Sequence, residues 1–434
     1  MSNDIQKKDN VFRSRNFRLV FLGALVSDLG ATLYSFAVSL YILEISGNNA
    51  FLQGLYLALG GVSMLVFTLV GGVLGDRMSK ARIMYICDYL KGGMILLATV
   101  LMLLFPAPST QLAILFVLGI LGSMVSGVFS PAAGALFPHI VREDQLQQAN
   151  AYFTIKNALQ SIFGIILAGI LYTAIPVHTL FFLVGACYVA SGISEMMIRY
   201  EFHPSAERLT LKLALRDMAE GIVYLRTQKA ILAMLIAILF INFFLTPVES
   251  NFLPFFIKTN LTEAPSYLLS RVLMPEQWLS VIQVCFGISS LLGAALLSGK
   301  AQEDKCGKKI ARLLCAMAAV FIIMTVSYLI FVERGTMISV FLIVLSLVFL
   351  AVGFLISSIN IPANTLFMRL VERDKLSKVN SLISIGSMGM IPIASVLAGG
   401  ILNALGSTAL LIFCSLGFTA TAVSMLFNRR IAEL

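Results

Sequence analysis

The sequence predicts an all-α membrane protein, with twelve transmembrane helices arranged as two parallel six-helix repeats. Three observations point there. Apolar residues make up 59% of the 434 residues and charged residues only 12%, against about 25% charged in a soluble domain. The apolar residues fall in runs long enough to cross a hydrocarbon core of about 30 Å. A segment spanning the fourth loop also returns without gaps at the tenth.

Taken in order, Met1 to Arg18 is polar and carries Lys7, Lys8, Arg13, Arg15 and Arg18. It leads into an apolar run of full spanning length with no A-x-A site, so no cleavable signal peptide is expected. The twelve predicted spans are about 17–44, 51–74, 82–105, 111–137, 150–173, 178–199, 230–257, 277–299, 310–332, 337–362, 380–404 and 407–428. An even number of spans puts both termini on one side. Assigned so, twenty-seven of the 31 Lys and Arg residues fall on one face, counting Lys156 among them, and only Lys258, Arg271 and Arg334 on the other. Basic residues collect on the cytoplasmic side, so both termini are read as cytoplasmic in a bacterial inner membrane.

This distribution also explains the net charge of +9. Topology accounts for the bases, and no nucleic acid partner is expected. The six cysteines form no CxxC pair and the three histidines are widely spaced, which offers no metal-site spacing.

The internal repeat aligns Ala133–Asn150 with Ala363–Asn380. Identities include Leu136/Leu366, Phe137/Phe367, Val141/Val371, Asp144/Asp374, Leu146/Leu376 and Asn150/Asn380. The chain therefore divides into an N-terminal six-helix bundle (1–199), a linker (200–229) and a C-terminal six-helix bundle (230–434). The linker begins polar, with Glu201, His203 and Pro204. It continues as an amphipathic helix whose stripe is Leu211, Leu215, Met218, Ile222 and Leu225. Outside, Trp278 follows the longest loop and is read as an interfacial anchor.

Between the second and third spans lies the turn Gly71 to Arg82, GGVLGDRMSKAR. Gly72, Leu74, Asp76 and Arg77, trailed by Lys80 and Arg82, resemble the loop between helices two and three of the major facilitator superfamily. Within that family, Arg82–Lys91 and the segment from Ser130-Pro131-Ala132-Ala133 to Ala149-Asn150 resemble the macrolide-efflux and enterobactin-exporter branch. The resemblance implies two like-oriented bundles around a mid-membrane site, and export of an amphipathic compound by proton antiport. One departure is that many drug/proton antiporters carry a Gly-Pro pair in the fifth helix. Here Ser161 to Gly169 keeps glycines without the proline.

Ionisable residues inside spans cost about 2.5–3.5 kcal/mol on insertion scales and mark functional sites by default. Asp28 in the first span and Glu249 in the seventh occupy corresponding positions, and both are expected to serve proton coupling or substrate binding. Tyr34, Asn242, Asn251 and Asn360 are the further cavity candidates, with Phe36, Tyr41, Phe243 and Phe244 as added aromatic surface. Few charges and many aromatics suit an amphipathic substrate rather than a sugar or phosphate.

Gly72, Asp76, Arg77, Asp88 and Lys91 form the gating set. Asp88 and Lys91, three apart on one helix face, are read first as a local ion pair. Lys156 and Glu195, near the inner ends of their spans, are read as snorkelling. Pro247 is expected to kink the seventh span.

The sequence holds neither a GxSxG elbow nor a GxxxxGK[ST] loop. No enzyme activity, cofactor or metal is expected, and the energy comes from a gradient. The expected partners are a small amphipathic substrate, protons and membrane lipids, with the protein a monomer. A lipid or lysolipid transporter and a non-transporting receptor are the alternatives.

Overall fold

The computed structural model describes residues 10–199, 211–298, 306–335, 337–372 and 375–427. Lys7, Lys8, Glu201, His203, Pro204, Asp374, Arg429 and Arg430 lie outside the described residues, as do the side chains of Asp76, Leu211, Leu215, Met218 and Asn380. Among the described residues no strand is present.

The helices are α1 (Arg15–Ile45), α2 (Ala50–Arg77), α3 (Lys80–Leu104), α4 (Pro108–Ile140), α5 (Leu146–Leu159), α6 (Ile165–Ala174) and α7 (Val177–Met196). They continue with α8 (Leu211–Thr227), α9 (Lys229–Thr246), α10 (Leu253–Phe256), α11 (Pro275–Ser298), α12 (Cys306–Tyr328), α13 (Ile338–Leu370) and α14 (Leu376–Phe427). Helix α8 is the linker helix.

The predicted twelve spans are recovered once three helix irregularities are taken into account. A π-helical turn, Gln160–Gly164, joins α5 to α6 into one span. A second, Pro247–Phe252, joins α9 to α10, and a third, Ile257–Leu261, ends that span. A π turn admits an extra residue without the loss of the surrounding helix. The Pro247 effect is therefore a widened turn, and the segment that lacks the fifth-helix proline carries a comparable one. Third, α14 holds 52 residues, about 78 Å at 1.5 Å per residue, which is more than twice a hydrocarbon core. It breaks at Gly406, whose φ of 82° suits glycine, into the predicted eleventh and twelfth spans.

The sequence repeat has a structural counterpart. Helix α4 runs from Pro108 to Ile140 and α13 from Ile338 to Leu370. Both ends are displaced by 230 residues, the offset of the aligned segments. Each is followed by a valine in extended conformation, Val141 or Val371. The next helices begin at Leu146 and Leu376, again 230 apart.

The chain packs as two compact units. The first comprises Met1–Ser35, Ser63–Gly164 and Pro176–Leu211. The second comprises Phe36–Val62, Ile165–Ile175 and Lys212–Leu434. This grouping differs from the sequence repeat, because the ends of α1 and α2 nearest the Gly47–Asn48 turn, together with α6, belong to the second unit.

In the first unit, Phe12, Phe17 and Phe21 pack against Tyr152 and Phe153, with Phe12 and Tyr152 centroids 4.7 Å apart. This ties the N-terminal segment to α5. Helices α2 and α4 cross closely. A Cβ on Gly71 would lie 2.7 Å from Val128 Cα, and one on Gly127 2.4 Å from the Met64 carbonyl. Gly71, not the motif's Gly72, makes this contact: a Cβ on Gly72 would meet nothing within 4 Å.

In the second unit, Gly54 faces the Ser395 carbonyl and Gly399 the Ala50 carbonyl, where Cβ atoms would sit at 2.3 and 2.5 Å. Small residues let membrane helices approach this closely. Two placements depart from expectation. Trp278 is 4% exposed, so it is packed among helices rather than anchoring at an interface. Phe36, Tyr41 and Phe244 are likewise buried, because the ends of these spans pack against neighbouring helices.

Candidate functional site

Helices α1, α3, α4 and α7 of the first unit line a partly open cavity of about 190 Å³. Its polar lining comes from Tyr34, Ser35, Lys91, Ser123, Ser126 and Tyr188, and its apolar lining from residues such as Met94 and Leu118. Tyr34 and Lys91, read from sequence into two separate sets, come together here.

The Lys91 ammonium donates to Ser126 Oγ at 2.8 Å and lies 4.6 Å from the centroid of the Tyr188 ring. The expected Asp88–Lys91 ion pair is not made. Spacing of three residues permits a pair but does not force one. The Lys91 side chain extends toward α4, while Asp88 is 3% exposed, with Oδ2 lacking a protein partner.

Next to this cavity lie acidic groups that the sequence analysis undervalued. Glu195 is fully buried and neither carboxylate oxygen has a partner. Ser191, one turn earlier on α7, is 1% exposed and its hydroxyl lies beside Asp88. A Cβ on Gly23 of α1 would lie 3.3 Å from Ser191 Oγ and 3.4 Å from Glu195 Cγ, so α1 presses directly on this pair. The snorkelling expectation for Glu195 fails because α1 and α3 cover it.

Lys156 also does not snorkel. Its side chain is 3% exposed and its ammonium pairs with the Asp28 carboxylate, which is 45% exposed. The ammonium also lies 5.3 Å from the Phe153 ring centroid. Asp28 is thus an ion-pair partner across α1 and α5. The signal for this pair was available in principle, as one acid and one base in spans that otherwise hold almost none. Their separation by 128 residues hid it.

The second unit contains a different arrangement. Lys258 donates to Glu44 Oε2 at 2.9 Å and to Glu276 Oε1 at 3.0 Å, and Tyr172 donates to Glu44 at 3.2 Å. The Lys258 side chain is only 9% exposed. This clasp holds the end of α1 and α6 against the Ile257–Leu261 turn and the start of α11. Nearby, Gln53 donates to Ser39 Oγ at 2.7 Å and to the Ser250 carbonyl at 3.1 Å. Gln277 of α11 donates to Thr173 of α6 at 2.9 Å. Sequence reasoning counted Lys258 only as an outside charge and did not single out Glu44 or Glu276.

The remaining candidates scatter. Glu249 lies in the Pro247–Phe252 π turn, with Oε1 buried and unpartnered. Asn251 is fully buried and donates to the Ser395 carbonyl at 3.4 Å. Asn242 donates to its own helix, at the Ile238 carbonyl. Asn360 is exposed on α13 and Arg77 is exposed at the end of α2. Among the described residues no group of three His, Cys, Asp or Glu is placed to hold a metal ion.

Twelve apolar spans, an internal structural repeat and charged side chains held within the spans define a multi-pass membrane transporter. The sequence profile of the Major Facilitator Superfamily matches residues 20–395, and the chain belongs to that family. Its members are transporters of small molecules, not enzymes.

Curated relatives are distant. The chain is 22% identical to the uncharacterized MFS-type transporter YvqJ of Bacillus subtilis over 92% of its own length and 89% of that protein. It is 23% identical to macrolide efflux protein A of Streptococcus pyogenes, over 65% of each. It is 29% identical to the enterobactin exporter EntS of Shigella boydii, over 36% of each. The chain thus spans under two thirds of both named exporters.

Among solved structures, a POT family transporter with a bound thioalcohol-conjugated peptide gives a TM-score of 0.71 at 16% identity, covering 96% of both chains. The nucleoside transporter NupG gives 0.69 at 12% identity, covering 94% of this chain and 98% of the other. At these identities the likeness concerns the fold alone.

Proposed function

We propose that this transporter exports a small amphipathic molecule across the bacterial inner membrane by alternating access coupled to proton antiport. It works as a monomer with both termini cytoplasmic. The halves are residues 1–199 and 230–434, with 200–229 as linker.

The observation that carries alternating access is the Lys258 clasp. It joins α1 and α6, from the first sequence repeat, to the start of α11, from the second. Along α2 toward the Gly71–Arg82 turn, Ala50 to Gly71 is a rise of 21 residues, about 32 Å, the thickness of a hydrocarbon core. With the basic turn cytoplasmic, the clasp is a closed outer gate. Breaking and remaking its ion pairs lets that end open and shut. The inner turn, with Gly72, Asp76 and Arg77, is the complementary gate.

Asp28 carries the proton, exchanging it for the Lys156 partner as the cavity changes exposure. Glu249 is the corresponding group of the second half. Tyr34, Asn242, Asn251 and Asn360 contribute polar contacts along the route. The efflux direction is taken from the two named exporters among the relatives.

The test is a susceptibility and dye-efflux panel in an efflux-deficient bacterium, with and without a protonophore. Protonophore-sensitive efflux of an amphipathic dye or macrolide is expected, lost in Asp28→Asn. Efflux indifferent to the protonophore removes the antiport reading, and no efflux of any compound removes the export reading.

A further inference from the structure

The cavity beside Lys91 has a composition that none of the roles above uses. Its one cationic group meets a hydroxyl and an aromatic face but no carboxylate within 4 Å among the described residues. An ammonium has three donors. One goes to Ser126 and the Tyr188 ring faces the charge, which leaves hydrogen-bonding capacity toward the cavity. Ser126 cannot supply a counter-charge, and its own hydroxyl proton goes to the Gly122 carbonyl at 3.0 Å. Taking an ammonium out of water is repaid only by a close anion with further hydrogen bonds, and here Asp88 and Asp28 act on it only from beyond ion-pair distance.

Apart from Ser35 and Ser123, the rest of the wall is aromatic, aliphatic or glycine. A volume near 190 Å³ is below the 300–1,000 Å³ of a site for a whole drug-sized ligand. It suits one end of a larger molecule. We propose that Lys91 is the anchor for the acidic group of the transported amphipath, an aryl or alkyl carboxylate whose hydrocarbon part lies against Tyr34, Met94 and Leu118. The proposal rests on the transport reading and deepens it, because it assigns the substrate an anionic head. Asp88, one turn before Lys91, is the internal competitor: its negative charge opposes an incoming carboxylate.

The experiment uses the purified full-length protein in detergent and measures binding of salicylate and of its neutral analogue salicylamide by isothermal titration. A charge-assisted hydrogen bond predicts that salicylate binds about tenfold or more tightly than salicylamide. Lys91→Gln should erase that preference while leaving the elution profile and the weak salicylamide binding unchanged. Asp88→Asn should strengthen salicylate binding.

Equal binding of the two probes by the wild-type protein, absence of salicylate binding, or a preference that survives in Lys91→Gln overturns the assignment. The comparison on the wild-type protein needs no variant, so misfolding of Lys91→Gln cannot rescue the proposal. Binding requires no turnover. A positive titration together with a negative efflux panel would therefore sink the export reading and leave this subsite standing.

Discussion

Two hidden lysines make an instructive comparison. Lys258 in the second unit has two carboxylates within 3.0 Å and a tyrosine hydroxyl on one of them. Lys91 in the first unit has a serine and an aromatic ring. A Cβ on Gly122, on the cavity wall, would meet nothing within 4 Å, although Gly92 and Gly127 nearby are also closely packed, like Gly54 and Gly399 in the second unit. The protein completes the bonding of Lys258, whereas Lys91 faces a cavity. A charged residue in a membrane protein therefore declares its role less by its identity than by whether the protein completes its bonding.

This contrast can be broken or sharpened experimentally. The largest effect should come from Gly54→Ala, because its new methyl meets backbone, at the Ser395 carbonyl, rather than a flexible side chain. Most of the monodisperse protein and more than tenfold of the transport rate should be lost. Gly122→Ala, on the cavity wall, should keep both. Equal tolerance at the two positions would erase the distinction between the packed and the open position.

Next in size is the third hidden lysine. Asp28→Asn leaves the buried Lys156 charge without its partner and should cost about 3–5 kcal/mol. Lys156→Met leaves only the half-exposed Asp28, which water can solvate, and should cost less. Thermal unfolding of the two variants and of the double variant reads this asymmetry. A larger loss in Lys156→Met would contradict the burial pattern.

Removing Lys258 should be milder still. Lys258→Met deletes two charge-assisted bonds, one of them to the half-exposed Glu44, about 1.5–3 kcal/mol in all in the closed form, and should bias the protein toward opening at that end. A cysteine at Ser250, in a background without other reactive cysteines, should then react several-fold faster with a membrane-impermeant maleimide. An unchanged rate would mean the clasp does not hold the gate. The smallest effect belongs to Arg142→Ala. Its partner Asp144 and Arg142 itself are 50% and 68% exposed, so about 0.5 kcal/mol or less should be lost.

Much of the architecture was legible because it rests on local quantities. Apolar run length located the spans, including the break between 404 and 407, and the repeat at Ala133–Asn150 and Ala363–Asn380 matches the shared bounds of α4 and α13. The sites were less legible. Asp28, Tyr34 and Lys91 each lie beside other polar groups, but the partners of the charged candidates were misread. Asp88 does not pair with Lys91, and Lys156 and Glu195 do not reach an interface. Gly71 rather than Gly72 makes the close helix crossing.

From the sequence alone follow the membrane-spanning helical class, the number of spans, the internal repeat and the family. Each depends on residues near one another in the chain, or on composition. Only the tertiary structure decided that Asp28 meets Lys156, that Lys258 meets Glu44 and Glu276, and that Lys91 is left facing a cavity without an anion. These partners lie tens to hundreds of residues apart. Helix rotation and crossing, governed by which glycines allow backbones to touch, set which faces meet.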